Sequence, residues 1–294
     1  MRSRKAAKRT ELLVFLAAAA LLAILCAVAA HAQIVEEKKD PTTTIQFSEN
    51  GVTVTPQNPY AVWVEPGTSK VTILQKGSYL LTGSSSEGQV IVDLSKKKKV
   101  ELELAGLDLQ SSAGPVIWAK NAEKLTVILA SKTVNRLTDS LSYSGEATQD
   151  EDANACLYAT CDLEIKGTGA LSVEGNYRNG IRTKADLAIK KAMLVVSAPY
   201  IGLRGNTVNL QNATVELDCY TYGILARSKK PERGWVNAEQ TSLSIEAGMV
   251  GVRTSGNLNF DPSCMVQINS ETPIECEGEA NTADLVSQEI EEEA

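Results

Sequence analysis

Histidine is almost absent from this sequence of 294 residues, because His31 is its only one. His31 lies at the end of residues 1–32, which have a basic start, an apolar core and a small-x-small sequence at their end. These are the features of an export signal that is cleaved before Gln33. A mature chain starting at Gln33 would contain no histidine, which excludes a Ser-His-Asp triad, a Cys-His pair and a histidine-ligated metal.

The apolar core of this segment, residues 12–30, is 19 residues long. This length is about enough to span a bilayer, so an uncleaved N-terminal membrane anchor is the alternative to a cleaved signal. In both interpretations we expect the rest of the chain to be exported and to lie at the cell surface or outside the cell.

Positive charge is also scarce. Removing residues 1–32 takes away five of the 29 Lys and Arg residues and one of the 36 Asp and Glu residues, which leaves a formal net charge of −11. A surface this acidic argues against nucleic acid as the partner.

A short strand unit is repeated between residues 154 and 203. Cys156-Leu157-Tyr158 aligns with Gly180-Ile181-Arg182, a period of 24 residues, and the same step recurs at Gly202, Gly223 and Gly251 at intervals of 22, 21 and 28. Each unit holds about three short runs of alternating apolar residues, which indicates strands. One such coil cannot bury its own apolar face, so the coils must stack. The sequence therefore predicts an all-β fold, a parallel β-helix.

Two other architectures have similar spacings. A leucine-rich repeat requires the sequence L-x-x-L-x-L-x-x-N, which is absent here. An antiparallel sandwich or jelly roll would give strands every 8 to 12 residues, but it would not place the same glycine-apolar step in register.

The domain boundaries follow from composition. We expect residues 33–42 to be a linker, 43–280 the β-helix domain and 281–294 an acidic, disordered tail. Residues 140–152 lack apolar periodicity and are predicted to form an exposed loop, and residues 227–240 form a second insertion. Trp235 in this insertion is either a platform for sugar stacking or, as we favour, a lid packed on the solenoid. The lysines at 96–99 are interpreted as a solvated turn.

Five cysteines remain after Gln33, and an odd number in an exported protein leaves at least one thiol unpaired. Cys156 with Cys161, and Cys264 with Cys276, are candidate disulfides. Thiols buried between coils are the alternative.

Several stretches together resemble a known family. They are VTILQKGSYLLTGSSSEGQVIV at 71–92, PVIWAKNAEKLTVIL from 115, the repeat from 154, and YIGLRGN from 200. This pattern resembles the bacterial carbohydrate-binding domain family of exported right-handed parallel β-helix proteins over roughly residues 43–270. The resemblance implies a solenoid like that of pectate lyases and non-catalytic binding of plant cell-wall or acidic polysaccharides. It also implies calcium held by acidic residues at the turns.

The chain departs from the family pattern at these acids. In the family pattern, each coil has one acid before the glycine and a second acid after it. Here the first acid is replaced, and the second is kept only as Asp162 and Asp186. Calcium requires six to eight oxygen ligands, so these two residues are weak candidates for calcium ligands, and turn formation is the alternative role. No cofactor is predicted with certainty.

The glycines at 180, 202, 223 and 251 are here called the register glycines, and Cys156 is aligned with them. The residue two positions after each of these five is expected to point outward. These positions hold Tyr158, Arg182, Arg204, Leu225 and Arg253. A basic-aromatic strip of this kind suits uronate carboxylates and sugar rings, with Tyr177, Tyr200 or Tyr222 as stacking partners. In the alternative, the arginines pair with Asp162, Asp186 or Glu174.

The leading hypothesis is therefore an exported, non-catalytic protein that binds polysaccharide. A structural or adhesive surface protein without a glycan ligand is the first alternative. A lyase of the pectate-lyase type is less favoured, because it needs clustered aspartates for calcium and an arginine base. The oligomeric state stays open.

Overall fold

The computed structural model describes residues 43–94, 98–282 and 286–288. This part of the chain is almost entirely β-structure, with one short 3₁₀ helix, Glu146–Gln149. The strands are β1 Thr43–Ser48, β2 Gly51–Thr55, β3 Val62–Val64, β4 Ser69–Ile73, β5 Gly77–Ser85, β6 Gly88–Asp93, β7 Lys99–Ser111, β8 Ile117–Asn121, β9 Lys124–Leu129, β10 Val134–Asp139, β11 Ala155–Ala159, β12 Asp162–Lys166, β13 Ala170–Glu174, β14 Asn179–Thr183, β15 Asp186–Lys190, β16 Met193–Ala198, β17 Ile201–Gly205, β18 Thr207–Gln211, β19 Thr214–Cys219, β20 Tyr222–Ala226, β21 Val236–Glu239, β22 Ser242–Ala247, β23 Val250–Thr254, β24 Leu258–Phe260, β25 Met265–Asn269, β26 Thr272–Cys276, β27 Ala280–Thr282 and β28 Val286–Gln288.

These strands form the predicted parallel β-solenoid. From β8 onward, three consecutive strands make one coil, and each strand pairs in parallel with the strand three places further along the chain. One stack, from β3 to β26, is a ten-stranded sheet, here called the glycine sheet because β14, β17, β20 and β23 carry the register glycines. The other two stacks join through the long strand β7, which pairs with both β9 and β10.

The strand register confirms the repeat predicted from the sequence. Leu157 pairs with Ile181, Ile181 with Leu203, Leu203 with Ile224, and Ile224 with Val252. Each of these residues directly follows the cysteine or glycine used for the alignment. Consecutive sequence repeats are therefore consecutive coils.

The register glycines are required because the interior is crowded. A Cβ atom on Gly180 would lie 2.1 Å from Cγ1 of Val196, and one on Gly223 would lie 2.4 Å from Cγ2 of Ile245. Val196 and Ile245 are fully buried and stand six residues before the next register glycine. The apolar residue on the third strand of a coil thus occupies the space left by the glycine on the first strand of the same coil.

The ends of the solenoid differ from its middle. At the N-terminal end, β1 pairs antiparallel with β2, and β3 pairs antiparallel with β4. At the other end, β27 and β28 pair with the preceding coil, so the solenoid continues past the predicted boundary at residue 280. The rest of the predicted tail, the leader at 1–32 and the linker at 33–42 lie outside the described residues.

The insertion at 140–152 was predicted to be an exposed loop, and this prediction is wrong in part. It contains the 3₁₀ helix, and Ala147 is 4% exposed. The Ser144 and Gly145 amides donate to the carbonyls of Ser112 and Ala113 between β7 and β8, and Ala147 packs with Trp118 of the glycine sheet. Of the lysines at 96–99, Lys98 and Lys99 are described, and Lys99 pairs with Glu123.

The cysteines bear out the buried-thiol alternative and correct both disulfide candidates. Cys156, Cys161, Cys219 and Cys264 are free and buried, and Cys276 is free and partly exposed. Cys156 and Cys161 both pack in the apolar core, where burial raises the pKa of Cys161 to about 11.

Across the described ranges, no helix combines the length and hydropathy that a membrane-spanning helix needs. The apolar residues 12–30 lie outside these ranges.

Candidate functional site

The predicted strip exists as a ladder on the outer face of the glycine sheet. Its members pair in register on successive coils, and they are Trp118, Tyr158, Arg182, Arg204, Leu225, Arg253 and Glu275. Trp118 and Tyr158 belong to an apolar cluster separate from the main core, which shows that the ladder faces away from the interior.

The insertion covers the first part of this ladder. Ala147 and Ala153 pack on Trp118 and Tyr158, which are 2% and 0% exposed. Aromatic side chains have large apolar areas, so this cover is a substantial source of stability. Tyr158 was predicted to contact a ligand, but its ring is not on the free surface.

Arg182 is also held by the insertion and is only 6% exposed. Its Nη1 donates to the Asp152 carbonyl at 2.8 Å and to Asn154 Oδ1 at 2.6 Å, and its Nη2 donates to Asp152 Oδ1 at 2.6 Å. The alternative, in which an acidic residue pairs with this arginine, is thus correct, although the residue differs from those predicted. The partner is Asp152 rather than Asp162, Asp186 or Glu174.

Asp152 has a second basic partner. Lys184 Nζ lies 2.6 Å from Asp152 Oδ2. The hydrogen bonds from Lys184 and Arg182 lower the pKa of the Asp152 carboxyl to about 2. Asp152 therefore stays ionised over the physiological range and offsets part of the positive charge at this point.

Arg204 lies one coil further and has no such partner. In the described part of the chain, no carboxylate oxygen lies within salt-bridge distance of its guanidinium. Arg204 is half-buried, and desolvation together with the nearby charge of Arg182 lowers its pKa. An arginine stays protonated even so, so a charged guanidinium is left without its counterion.

Arg204 lines a groove of about 890 Å³ at the carboxyl ends of the glycine-sheet strands. The second insertion forms its far wall with Arg227, Ser228 and Lys229. Five basic and two acidic side chains line it: Arg182, Lys184, Arg204, Arg227, Lys229, Asp152 and Glu277. This basic groove has a local excess of positive charge in a chain whose net charge is −7.

The predicted tyrosines lie away from the basic groove. Tyr177 stacks on Tyr143 with ring centroids 4.1 Å apart, and its amide donates to Asp139, so it fixes the first insertion. Tyr200 is 37% exposed and lies at the amino end of β17, with the Arg178 guanidinium 5.1 Å from its ring centroid. Tyr177 and Tyr200 therefore lie outside the ladder, whereas Tyr222 contacts Arg253.

Arg253 is paired as well. Its Nη1 lies 3.3 Å from Glu275 Oε2 and donates to the Tyr222 hydroxyl at 3.2 Å. Leu225 separates it from Arg204 on the ladder, and it does not line the basic groove. Among the predicted arginines, Arg204 is the one that combines partial exposure with an unpaired charge.

Asp162 and Asp186 take structural roles. Asp162 Oδ1 accepts the Asp186 amide at 3.3 Å, and the Asp186 carboxylate pairs with Arg233 at 3.3 Å. Within the described ranges, no three His, Cys, Asp or Glu side chains come together as a metal site would require.

Comparison with known proteins places this geometry in a family. The model of the family described as "Carbohydrate-binding domain-containing protein" matches residues 67–292. The chain belongs to this carbohydrate-binding domain family. The match spans every strand of the glycine sheet except β3, and it includes both insertions and the basic groove.

Two family-level likenesses support this. A carbohydrate-binding domain-containing protein of Acetivibrio thermocellus is 38% identical over 129 residues, which are 44% of this chain and 45% of that protein. The matched part thus spans less than half the length of this relative. The structure of a polysaccharide lyase-like protein from C. thermocellum, a gadolinium derivative, aligns with a TM-score of 0.78 and 28% identity. That alignment covers 83% of this chain and 98% of the other.

Sequence reasoning missed three basic members of the groove in this carbohydrate-binding domain: Lys184, Arg227 and Lys229. All three directly follow a strand of the glycine sheet or begin the second insertion. Their positions after register strands were a usable signal, because the carboxyl ends of stacked parallel strands share one edge.

Proposed function

We propose that this protein is a non-catalytic binder of acidic polysaccharides, which it holds in the basic groove. The observation that carries the proposal is the half-buried guanidinium of Arg204, which has no carboxylate partner among the described residues and lies beside Arg182. A uronate carboxylate would supply the missing counterion. Arginine binds such a group through two parallel N–H···O bonds, which are stronger than neutral hydrogen bonds.

The shape of the basic groove suits a chain rather than a single small ion. Its basic walls come from successive coils, which repeat every ~4.8 Å in a stacked β-structure. Arg182, Arg204, and Arg227 with Lys229 thus offer positive charge at several points along one direction. A polymer with repeated carboxylates can neutralise several of these points together, and linked contacts raise avidity.

Because the rest of the chain is acidic overall, we expect an acidic glycan to be attracted to the basic groove and not to the surface in general. Charges beyond about 8 Å are largely screened at physiological ionic strength, so an acidic glycan would feel mainly the basic groove. Because salt screens these charges, retention of the protein on an acidic glycan should fall as the salt concentration rises.

Affinity electrophoresis in gels containing polygalacturonate tests this proposal. Arg204→Gln, which removes the charge, should lose most of the retardation, and Arg204→Lys, which keeps the charge without the fork, should lose less. Arg136→Gln is the matched control, because Arg136 is 61% exposed on β10 and pairs with Asp108 away from the groove. Equal retardation of wild type and Arg204→Gln would overturn the proposal.

Each gel should be run with calcium and with a chelator. Retardation that persists in the chelator supports binding of the glycan by the basic groove, whereas retardation that the chelator abolishes would support a calcium bridge to the glycan. No retardation on any acidic glycan, together with strong binding to a protein, would favour the structural or adhesive alternative.

The family description supports binding without catalysis, and the lyase-like name of the structural neighbour supports the rival activity. Incubation with polygalacturonate distinguishes them. A lyase would lower the viscosity and release unsaturated products that absorb in the ultraviolet, and we expect neither change.

We also propose that the protein is exported and acts at the cell surface or outside the cell, where polysaccharides of this kind occur. The support is the N-terminal sequence of basic, apolar and small residues. Fractionation of cells followed by N-terminal sequencing tests this: a mature end at Gln33 indicates cleavage, and an intact Met1 in the membrane fraction indicates an anchor.

A further inference from the structure

A ladder of asparagines runs along the stack of β18, β21, β24 and β27. Asn209, Asn237, Asn259 and Asn281 pair in register on four successive coils. Each amide donates to the oxygen of the coil before it: Asn237 to Asn209 at 3.1 Å, Asn259 to Asn237 at 2.7 Å and Asn281 to Asn259 at 2.8 Å. The amide planes are therefore fixed before any ligand arrives.

These bonds use only half of each amide. An asparagine side chain has two N–H donors and an oxygen with two lone pairs. In Asn237 and Asn259, one donor and one lone pair serve the ladder, and the others remain. Because both side chains are partly exposed, each coil presents one donor and one acceptor to the outside at a fixed spacing.

Trp235 stands beside this ladder. Its side chain is partly exposed and lines an open hollow of about 390 Å³ together with Asn209, Asn237 and Asn259. Its position is set by the main chain, because the Trp235 carbonyl accepts the Val208 amide at 3.0 Å and Val236 pairs with Val208. The main chain that carries the indole is thus held on the sheet. The expectation that Trp235 is a packed lid is incomplete, since part of the ring stays open.

Among the described residues, no charged side chain lines this hollow, and its walls are asparagine, glutamine, valine and tryptophan. A planar aromatic surface next to fixed amides suits a ligand with an apolar ring face and hydroxyl groups at its edge. That is the chemistry of a neutral pyranose. We propose that Trp235 and the asparagine ladder form a second binding surface, which takes neutral sugar residues of a polysaccharide chain.

This surface is distinct from the basic groove, although the same insertion supplies both. Arg227 and Lys229 at its start line the basic groove, and Trp235 at its end lines the hollow. Between them Arg233 pairs with Asp186. The inference does not depend on acidic glycan binding, because the two surfaces share no side chain and recognise different chemistry.

Preorganisation is the reason to expect measurable affinity. Ordering a free amide on binding costs part of the interaction energy. In the ladder, the amides are already ordered by their own hydrogen bonds, so binding does not have to order them. Truncating an aromatic anchor in a sugar site should therefore weaken binding by about tenfold or more.

The test is affinity electrophoresis of the full protein in gels containing hydroxyethylcellulose, xylan or galactomannan. Wild type should be retarded by at least one of these neutral polymers. Trp235→Ala should lose the retardation by about tenfold or more, Trp235→Phe should restore most of it, and Asn237→Ala should weaken it. Trp63→Ala is the matched control, because Trp63 is 44% exposed and lies on β3 in the glycine sheet.

Polygalacturonate gels separate this inference from the proposed function. Trp235→Ala should keep its retardation there, and Arg204→Gln should keep its retardation on the neutral polymer. Circular dichroism must show that each variant is folded, and Asn237→Ala, which should weaken the retardation, keeps the test decisive if Trp235→Ala unfolds. Absence of retardation on every neutral polymer, or retardation that Trp235→Ala and Asn237→Ala leave unchanged, would overturn the inference. In that case the ladder serves only to join the coils.

Discussion

Arg182 and Arg204 occupy the same position on neighbouring coils, but Asp152 neutralises only Arg182. The pairing of β14 with β17 sets the two side chains next to each other. The first insertion then supplies a carboxylate to one of them at 2.6 Å. The result is one paired and one unpaired guanidinium at the same edge of the sheet, and Arg204 is therefore the group that we propose binds an anion.

Asp152→Asn should tighten binding to acidic glycans. The substitution removes one of the two negative charges that line the basic groove, so retardation on polygalacturonate should increase by about twofold to fivefold. Glu275→Gln, which removes the same charge from the partner of Arg253 outside the groove, is the control. Weaker retardation of Asp152→Asn than of wild type would contradict the assignment of the groove.

The same residue predicts a change in acid stability. Because the folded-state pKa of Asp152 is about 2, below its ordinary value of 3.8, its stabilising effect is complete above pH 3.8 and is lost as the pH falls towards 2. Thermal melts between pH 2 and pH 5 should show wild type losing its advantage over Asp152→Asn in this window. An advantage that is constant with pH would indicate that the charge plays no part.

Asp139 should act in the opposite direction. It is 3% exposed, accepts a hydrogen bond from the Tyr143 hydroxyl at 2.6 Å, and burial raises its pKa from 3.8 to about 6. The folded protein thus holds this proton more tightly than the unfolded chain. The free energy of unfolding should therefore fall as the pH rises from about 4 to about 6, by on the order of 3 kcal/mol.

Asp139→Asn should remove this loss of stability. Urea denaturation at pH 4, 5, 6 and 7 measures it as the difference between the variant and wild type. Asp108→Asn is the matched control, because the Asp108 side chain is 43% exposed. A difference that does not change with pH would show that Asp139 is not protonated in the folded state below pH 6.

Gly180→Ala should destabilise the solenoid. Its new Cβ would lie 2.1 Å from Val196, and overpacking of a close-packed interior costs typically ~1–3 kcal/mol. The double variant Gly180→Ala/Val196→Ala should recover part of this cost, because it makes room for the added methyl group. Chemical denaturation of both variants measures the coupling, and additive effects would mean that the two side chains do not meet.

The buried thiols should react slowly in the folded protein. Burial raises the pKa of Cys219 to about 12, and Cys156 and Cys161 also have raised pKa values. The thiolate is the reactive form, so alkylation of the native protein should modify Cys276 first. Peptide mapping after alkylation without reductant should find all five cysteines that follow Gln33 alkylated once the protein is unfolded. A disulfide-linked peptide would contradict the free thiols.

The sequence alone determined the solenoid and its register. The period is a local property, because each coil must place a glycine or small residue where the apolar residue of its own third strand enters. Gly180 and Val196 meet this requirement in the chain itself, so alignment of the repeats predicted which residues pair. The ladder from Tyr158 to Arg253 followed directly.

Only the tertiary structure decided which ladder members are free. Tyr158 and Arg182 carry the same pattern as Arg204, yet the first insertion buries them through Ala147, Ala153 and Asp152. That insertion has no periodicity, so its sequence does not show which strands it covers. Likewise, the asparagines at 209, 237 and 259 lie at intervals of 28 and 22 residues, and residues 227–235 of the second insertion, which precede β21, fall within the longer one. Their alignment beside Trp235 depends on how that insertion leaves the coil and returns, which is settled by packing and not by spacing.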